Sequence, residues 1–427
     1  MNATIIFVIL LVLMLTGMPI SISLGLTVLS FLFMFTQVPL ESVALKLFTG
    51  IEKFEIMAIP FFILAGNFLT HGGVARRMIK FATSMVGHWY GGLGLAGVVA
   101  CALFAAVSGS SPATVVAIGS ILMPAMLKAG FPNKFGAGVI TTSGALGILI
   151  PPSIVMVMYS VATNTSVGAL FMAGVIPGIG LAMVLGGVTW FRAKKFNYPR
   201  MKKATFGERW TAFRESVWGL LLIVVVMGGI YSGMFTPTEA AAMSAVYAFF
   251  VAVFVYKDLS MKDVARVLLN SANMSAMLLY IITNAVLFSF IMTNENIPQA
   301  LADWMLGHGL GMIAFLLAVN IILLLAGNFM EPSSIVLIFA PILFPVAMKL
   351  GIDPVHFGIL MVVNMEVGMC HPPVGLNLYV ASGITKMGIT ELTVAVWPWL
   401  LSMLVFLVVV TYVPIMSTWL PRTLGMM

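Results

Sequence analysis

The sequence predicts an all-α polytopic membrane protein, organised as an inverted-topology repeat with two re-entrant hairpins and two broken helices. Three observations carry that prediction. Hydrophobic residues make up 61% of the 427 and charged residues only 8%, where a soluble domain carries about a quarter charged. Apolar stretches of about 20 residues, the length a bilayer-spanning helix needs, recur along the whole chain. The chain also echoes itself at an offset of 221 residues: Ile121, Leu122, Pro124, Lys128, Gly130, Gly147, Pro151, Pro152 and Pro177 return as Ile342, Leu343, Pro345, Lys349, Gly351, Gly368, Pro372, Pro373 and Pro398.

In chain order, the first elements are spans at residues 1–18, 20–36 and 54–70, joined by short loops. Met1, Asn2, Ala3 and Thr4 lead straight into an apolar run with no basic stretch, which predicts a retained first helix rather than a cleaved signal peptide. Residues 71–88 (HGGVARRMIKFATSMVGH) form a basic amphipathic segment suited to the membrane interface. Apolar arms at 92–107 and 115–127 then flank the polar stretch SGSSPAT (108–114). Each arm has only about 13–16 residues, short for a full crossing, so the pair predicts a re-entrant hairpin with a polar tip inside the membrane. Residues 135–161 are interrupted by TTSG (141–144) and GILIPPS (147–153). Proline removes a backbone donor and clashes with the preceding turn, so a discontinuous helix is expected there. A span at 168–191 returns to the one long polar stretch.

The second half follows the same order. Spans are expected at 217–232, 240–256 and 274–293, with an interfacial segment at 296–307. A second hairpin covers 312–348 with its tip at 327–334, and a second broken helix covers 355–381, opened at NMEVGMCHPP (364–373). A last span covers 394–413.

The net charge of +7 would suit a nucleic-acid partner, but its distribution argues against one. Eight of the 21 basic residues lie between Arg192 and Arg214, as expected of a cytoplasmic linker, because cytoplasmic loops collect Lys and Arg. Five crossings separate the two hairpins, an odd number, so the copies are expected to be inverted across the membrane. The same topology puts 17 of the 21 Lys and Arg on the cytoplasmic side, leaving Lys46, Lys53, Lys349 and Arg422 outside. Both termini then fall on the periplasmic or extracellular side. The two cysteines, Cys101 and Cys370, sit in apolar surroundings and suggest no disulfide framework. The 33 Met and 40 Gly suit close packing between membrane helices.

A duplicated apolar chain broken by Gly, Pro and Ser at matching places is a pointer to a transporter binding site. Non-helical backbone is tolerated at membrane depth only where it is buried in protein or lines a wet cavity. A hairpin tip facing an unwound helix offers carbonyls and hydroxyls, a hard-oxygen cage for a dehydrated alkali cation. The positive ends of the half-helices favour a carboxylate beside it. Glu331 and Glu366 lie inside apolar elements, where an ionisable group costs roughly 2.5–3.5 kcal/mol even on insertion scales. Each therefore needs a partner, and the roles open to them are orienting a tip by capping freed amides, sensing cations or protons, or a buried structural hydrogen bond. His371 and Cys370 are adjacent but lack further ligands at metal spacing, so no transition metal is expected. No intramembrane Arg is evident. Walker A, HExxH and GxSxG motifs are missing from the sequence, so transport would run on an ion gradient rather than ATP. The other classes left open are a polytopic membrane enzyme, a channel, and a receptor or scaffold subunit.

The motifs GSSPATVVAIGSI (109–121), GILIPPSIVMVMYSVAT (147–163), FTPTEAAA (235–242), GNFMEPSSIVLIFAPILFP (327–345) and GIDPVHFGILMVVNMEVGMCHPPVGLNLYVASGI (351–384) resemble the large membrane subunit of the tripartite ATP-independent periplasmic (TRAP) transporters. The resemblance covers essentially the whole chain. It implies a Na⁺-coupled importer of organic acids in the bacterial inner membrane, transporting two or more Na⁺ ions. It also implies two partners, a periplasmic substrate-binding protein and a small four-helix membrane subunit that is separate here. An elevator motion would carry the hairpins and broken helices against a scaffold. On this division, 1–70 and 217–293 are scaffold helices. Residues 71–191 and 294–393 hold the interfacial arm, hairpin and broken helix of each repeat. Residues 192–216 are the linker, and 394–427 the final span and C-terminus.

The resemblance places one sodium site at Ser108, Ser110, Ser111, Thr142, Gly144, Gly147 and Pro151. It places a second at Gly327, Asn328, Met330, Ser333, Gly368, Met369 and His371, where family members commonly carry Thr at the position of His371. Substrate is expected between the tips, near Ser110, Ser111, Ser143, Asn328, Ser334, Asn364 and Asn377. The wording of GNFMEPSS and GLNLYVASGI is closer to the C4-dicarboxylate branch, with sialic acid or another organic acid as the alternative.

Overall fold

The computed structural model describes residues 2–36 and 38–427, and among these the secondary structure is helical with no strand. The chain opens with α1 (Asn2–Leu15), α2 (Ile20–Phe35) and α3 (Leu40–Ile51), and a 3-10 turn over Phe54–Met57 leads into α4 (Ala58–His71). Next come α5 (Val74–Val86), the hairpin of α6 (Gly92–Ser108) and α7 (Ser111–Lys128), then α8 (Asn133–Gly144). A 3-10 turn over Ala145–Ile148 separates α8 from α9 (Ile154–Thr163), and α10 (Val167–Lys195) closes the first half. The second half comprises α11 (Phe206–Tyr231), α12 (Pro237–Phe250) with a π turn over Val251–Val255, α13 (Met261–Asn294) and α14 (Ile297–Gly307). The second hairpin is α15 (Met312–Gly327) and α16 (Pro332–Lys349), followed by α17 (Pro354–Cys370), α18 (Leu376–Thr385), α19 (Ile389–Tyr412) and α20 (Ile415–Thr423). Eight helical stretches among the described residues are long and apolar enough to cross a membrane.

The sequence echo has a structural counterpart. α7 and α16 begin at Ser111 and Pro332, α8 and α17 at Asn133 and Pro354, each pair 221 residues apart. Both halves break the helix at a Pro-Pro pair, Pro151–Pro152 and Pro372–Pro373, each joined by a cis peptide bond.

Local chemistry explains where several elements start. Thr205 with Glu208 and Thr236 with Glu239 form capping boxes at α11 and α12, each satisfying two otherwise free amides. α5 buries Val74, Met78 and Ala82 on one face and turns its cations to the other. There Arg77 pairs with Asp258 and stacks 3.8 Å from the Tyr256 ring, while Lys80 meets Glu215 at 2.7 Å. This amphipathic helix is thereby pinned to the ends of α11 and α12. Between the halves, Tyr159 of α9 donates to Pro354 O at 2.8 Å and Trp399 of α19 donates to Thr189 Oγ1 at 2.9 Å. Both side chains are fully buried, so the two copies share one core.

The structure departs from the sequence expectations in five places. The first tip is tighter than SGSSPAT suggested, because α7 already begins at Ser111 and Pro112 sits in its first turn, where a missing amide costs nothing. That start gives α7 and α16 18 residues each, longer than the expected short arms. The TTSG stretch does not interrupt its helix: Thr141 and Thr142 donate back to Ala137 O and Gly138 O at 2.7 and 2.8 Å, so α8 runs through to Gly144. The second broken helix likewise stays helical through Asn364–Cys370 and opens only at residues 371–375. Finally, α3 and α20 were not foreseen, and α11 begins at Phe206, so the non-helical part of the linker is confined to residues 196–205.

Candidate functional site

The first tip closes on its own hydroxyls. Gly109 takes φ 59° as the C-cap of α6, a conformation that glycine tolerates without strain. Ser108 Oγ and Thr114 Oγ1 lie 2.9 Å apart, and Thr114 donates to Ser110 O at 2.9 Å. Against this turn lies the 3-10 stretch after α8. A Cβ on Gly147 would stand 2.6 Å from Ser110 O and 2.7 Å from Ser111 Cα, so only glycine permits that approach.

Ser111 then joins the two broken helices. Its hydroxyl donates to Gly144 O at 3.0 Å and accepts from Asn377 Nδ2, at the start of α18, at 2.8 Å. Asn377 Nδ2 also faces Cys370 Sγ at 3.8 Å, and the Cys370 thiol donates to Thr141 O at 3.5 Å. The first tip is thus tied to α8, α17 and α18 at once.

The second tip has a different chemistry. Gly327 and Gly368 meet backbone to backbone, and a Cβ on either would lie 2.9–3.0 Å from the other's Cα. The Asn328 amide, turned so that its oxygen does not face acceptors alone, donates to the carbonyls of His371 at 2.8 Å and Pro372 at 3.0 Å. Met330 packs partly buried beside it. Glu331 takes the N-cap position of α16 without capping its amides, and its polar contact is the Ser334 hydroxyl at 3.4 Å. Ser333 is buried in the first turn of that helix. The two clusters adjoin at one peptide step, since Cys370 belongs to the first and His371 to the second.

Most of the expected substrate residues are closed off in this conformation. Ser111, Ser143, Asn328, Ser334, Asn364 and Asn377 are buried, and Ser110 is half-buried. Asn364 is turned to the second hairpin: its amide nitrogen donates to Asn320 O and Oδ1 at 3.0 and 2.8 Å, and Asn320 in turn donates to Thr411 Oγ1 at 3.0 Å. Thr142 and Met369 are buried within α8 and α17, and Pro151 lies in the break before α9.

Several buried acceptors in this region lack a donor. Ser143 Oγ, Asn364 Oδ1, Asn377 Oδ1 and both carboxyl oxygens of Glu366 have no hydrogen-bond partner. Glu366 is fully buried, and the Leu149 amide of the other half, itself donating to Leu146 O at 3.2 Å, lies near it. Orphaned buried acceptors cost about 1–3 kcal/mol each, so the core presents oxygen lone pairs to whatever enters it. Positive potential comes from backbone: α7, α16 and α18 begin at the tips and breaks without a side-chain cap, while Ser153 caps α9 through Met156 N at 3.4 Å. Uncapped amides at a helix start favour anions. Sequence reasoning named the stretches holding Thr114, Thr141 and Cys370 without placing these residues in the site, and it missed Asn320. Asn320 did carry a signal, as a single amide in the apolar run MIAFLLAVNIILLLAG.

Comparison with known proteins gives this arrangement its context. Residues 7–416 match the family model described as the tripartite ATP-independent periplasmic transporter, DctM component. The chain is 76% identical over its whole length to the C4-dicarboxylate TRAP transporter large permease protein DctM of Rhodobacter capsulatus, all of which it covers. It is 54% identical to the protein of the same name from Pseudomonas aeruginosa, with 95% of each chain covered. It is 36% identical to the sialic acid TRAP transporter large permease protein SiaM of Vibrio cholerae, with 96% of each covered. The solved YdaH transporter of Alcanivorax borkumensis shares the fold at a TM-score of 0.62, with 14% identity, 92% of this chain and 89% of that chain covered.

Paired tips and broken helices within one apolar bundle, together with these relatives, define a multi-pass inner-membrane transport protein rather than an enzyme. The chain belongs to the DctM family, the large membrane subunits of TRAP transporters. Membership of a tripartite family implies a small membrane subunit and a periplasmic binding protein as partners.

Proposed function

We propose that this chain is the carrier subunit of a Na⁺-coupled, binding-protein-dependent importer of organic acids, with C4-dicarboxylates as substrate. Its substrate would arrive from a periplasmic binding protein, and a small four-helix subunit would complete the membrane part. The observation that carries the reading is the Ser111 bridge from Gly144 O to Asn377. It gathers carbonyl, hydroxyl and amide oxygens at a buried point where Asn377 Oδ1 still lacks a donor, and a small hard cation supplies what those oxygens lack. The uncapped starts of α7, α16 and α18 lie at the same tips and breaks, suited to substrate carboxylates.

On this reading Na⁺ and substrate carboxylate bind side by side, each lowering the cost of the other's charge. The six buried members of the substrate set become accessible only when the tips part from the broken helices. Such opening fits an elevator motion between inverted repeats, with both termini periplasmic. Glu366, buried and without a hydrogen-bond partner, would influence coupling through its charge state, and Glu331 would orient the second tip. The degree of identity favours C4-dicarboxylates over sialic acid or another sugar acid, since the relatives named for them match at 76% and 36%.

The test is uptake into proteoliposomes holding this chain and its small subunit, offered the cognate binding protein loaded with succinate or with sialic acid. Succinate uptake that needs the binding protein supports the proposal. Sialic acid uptake alone would replace the substrate, and a single-channel current in a bilayer would replace the carrier by a channel.

A further inference from the structure

An apolar groove of about 540 Å³ runs along the outer side of the first hairpin, between α6, α10 and the loop after α5. Along α10 it is floored by Ala182, Gly186 and Gly187. Trp89 and Trp190 stand at one end and Ile150 at the other. The two glycines lie inside a 29-residue helix, where each costs about 1 kcal/mol relative to alanine. No close packing contact among the described residues requires them. A Cβ on Gly187 would meet no atom within 4 Å, and one on Gly186 would touch only Leu95 Cδ2 at 3.8 Å.

The second half of the chain supplies a contrast. At the 221-residue offset, Ala182, Gly186 and Gly187 are replaced by Met403, Leu407 and Val408, and Trp89 and Trp190 by Leu310 and Thr411. Met403 and Leu407 are buried, whereas Val408 is 57% exposed. At two of the three positions the second copy buries a large side chain where the first leaves a hollow, which points to an occupant from outside the chain.

The Trp end carries positive charge. Lys194, one turn beyond Trp190 on the same helix, holds its ammonium 4.9 Å from the Trp190 ring. Arg200 lies 3.3 Å above the ring of Tyr90, next to Trp89, and Met201 N donates to Gly87 O at 3.0 Å, fixing the linker there. Neither cation is paired with an acid among the described residues. Tryptophan and basic residues of this kind mark a membrane–water boundary. From Trp190 down to Ile179 the groove follows twelve residues of α10, a rise of roughly 16 Å at about 1.5 Å per step. That is about half of a 30 Å hydrocarbon core, the depth of one leaflet, whereas a partner helix would run through both.

We propose that this groove is a phospholipid site, which seats an acyl chain of an anionic lipid from the linker-side leaflet with its phosphate between Lys194 and Arg200. Bound there, the lipid shields the outer face of the first hairpin and fastens the linker to it. The proposal does not depend on which acid or ion the protein carries.

Native mass spectrometry of the purified full chain, titrated with phosphatidylglycerol and phosphatidylcholine of identical acyl chains, provides the test. The wild type should retain phosphatidylglycerol preferentially. Lys194→Gln and Arg200→Gln should each reduce that preference about fivefold, the effect of one cation near an anionic surface, while leaving the groove intact. Gly186→Leu with Gly187→Val, which installs the residues of the second copy, should abolish retention of both lipids. If that variant proves unstable, the two Gln variants still decide. Equal retention of both lipids by the wild type, or no change in either Gln variant, would overturn the proposal. So would a filled-groove variant that keeps its lipid but no longer co-purifies with the small subunit, because the groove would then seat a helix.

Discussion

Ser111 and Asn377 lie 266 positions apart in the chain and share a buried hydrogen bond of 2.8 Å. One belongs to the tip of the first hairpin and the other to the broken helix of the second half. The site is therefore assembled by both copies together. Because Ser111 also donates to Gly144 O, removing either partner leaves a buried polar group unsatisfied, at about 1–3 kcal/mol. Ser111→Ala and Asn377→Ala should each lower uptake about tenfold, and the double variant should lose little more, since the two act as one unit. Initial rates of uptake in proteoliposomes measure this, and fully additive losses would show that the residues act separately.

Glycine is required at one position and dispensable at another. Gly147→Ala places a methyl group 2.6 Å from Ser110 O, and a backbone neighbour has little room to yield. Overpacking of this kind costs about 1–3 kcal/mol, so the variant should melt earlier in detergent and transport poorly. Gly187→Ala meets open space and should melt at or slightly above the wild-type temperature, because alanine favours the helix. Thermal unfolding of the two side by side checks the contrast.

At the second tip two of the contacts of the Asn328 amide are to backbone carbonyls. Asn328 donates to the carbonyls of His371 and Pro372 and also faces His371 Nδ1 at 3.1 Å, so loss of the imidazole still leaves the two carbonyl contacts in place. His371→Thr should keep uptake within about threefold of wild type, whereas Asn328→Leu removes the donor and should cost about tenfold or more. A collapse of uptake in His371→Thr would assign the ring itself a role.

Lys53 links α9 to the turn that precedes α4. Its ammonium donates to Val161 O at 2.5 Å and to Asn164 Oδ1 at 2.8 Å. Burial away from water holds its pKa below the ordinary lysine value of 10.5, and the nearby Glu55 carboxylate opposes that shift. The unfolded chain then binds more protons than the folded one between the two pKa values, so this contribution to stability grows as pH rises toward 10.5 and is lost as pH falls through the folded value. The stability of the wild type relative to Lys53→Met should therefore increase over that alkaline window. A difference that shrinks instead would mean that the pKa is raised.

Much of this architecture was legible in the sequence because it rests on local chemistry. Pro151–Pro152 and Pro372–Pro373 had to end helices, and the polar stretches before α7 and α16 read as turns. The extent of each break was less legible. Thr141 and Thr142 looked like interruptions but return their hydroxyls to their own helix, and Glu366 remains helical despite its burial. Long-range partners were beyond the sequence altogether. Nothing near Ser111 specifies Asn377, and Cys370 reads as an inert apolar residue until Thr141 O is found beside it. α3 escaped notice because its twelve residues are too few and too mixed to stand out from a loop.

We propose that buried oxygens at the tips bind the cation that drives transport. Succinate uptake should be measured in proteoliposomes containing this chain, its small subunit and the loaded binding protein, under an inward Na⁺ gradient or with K⁺ throughout. The expected result is accumulation with Na⁺, none with K⁺, and a higher Na⁺ requirement in Asn377→Ala. Equal uptake in K⁺ would contradict it.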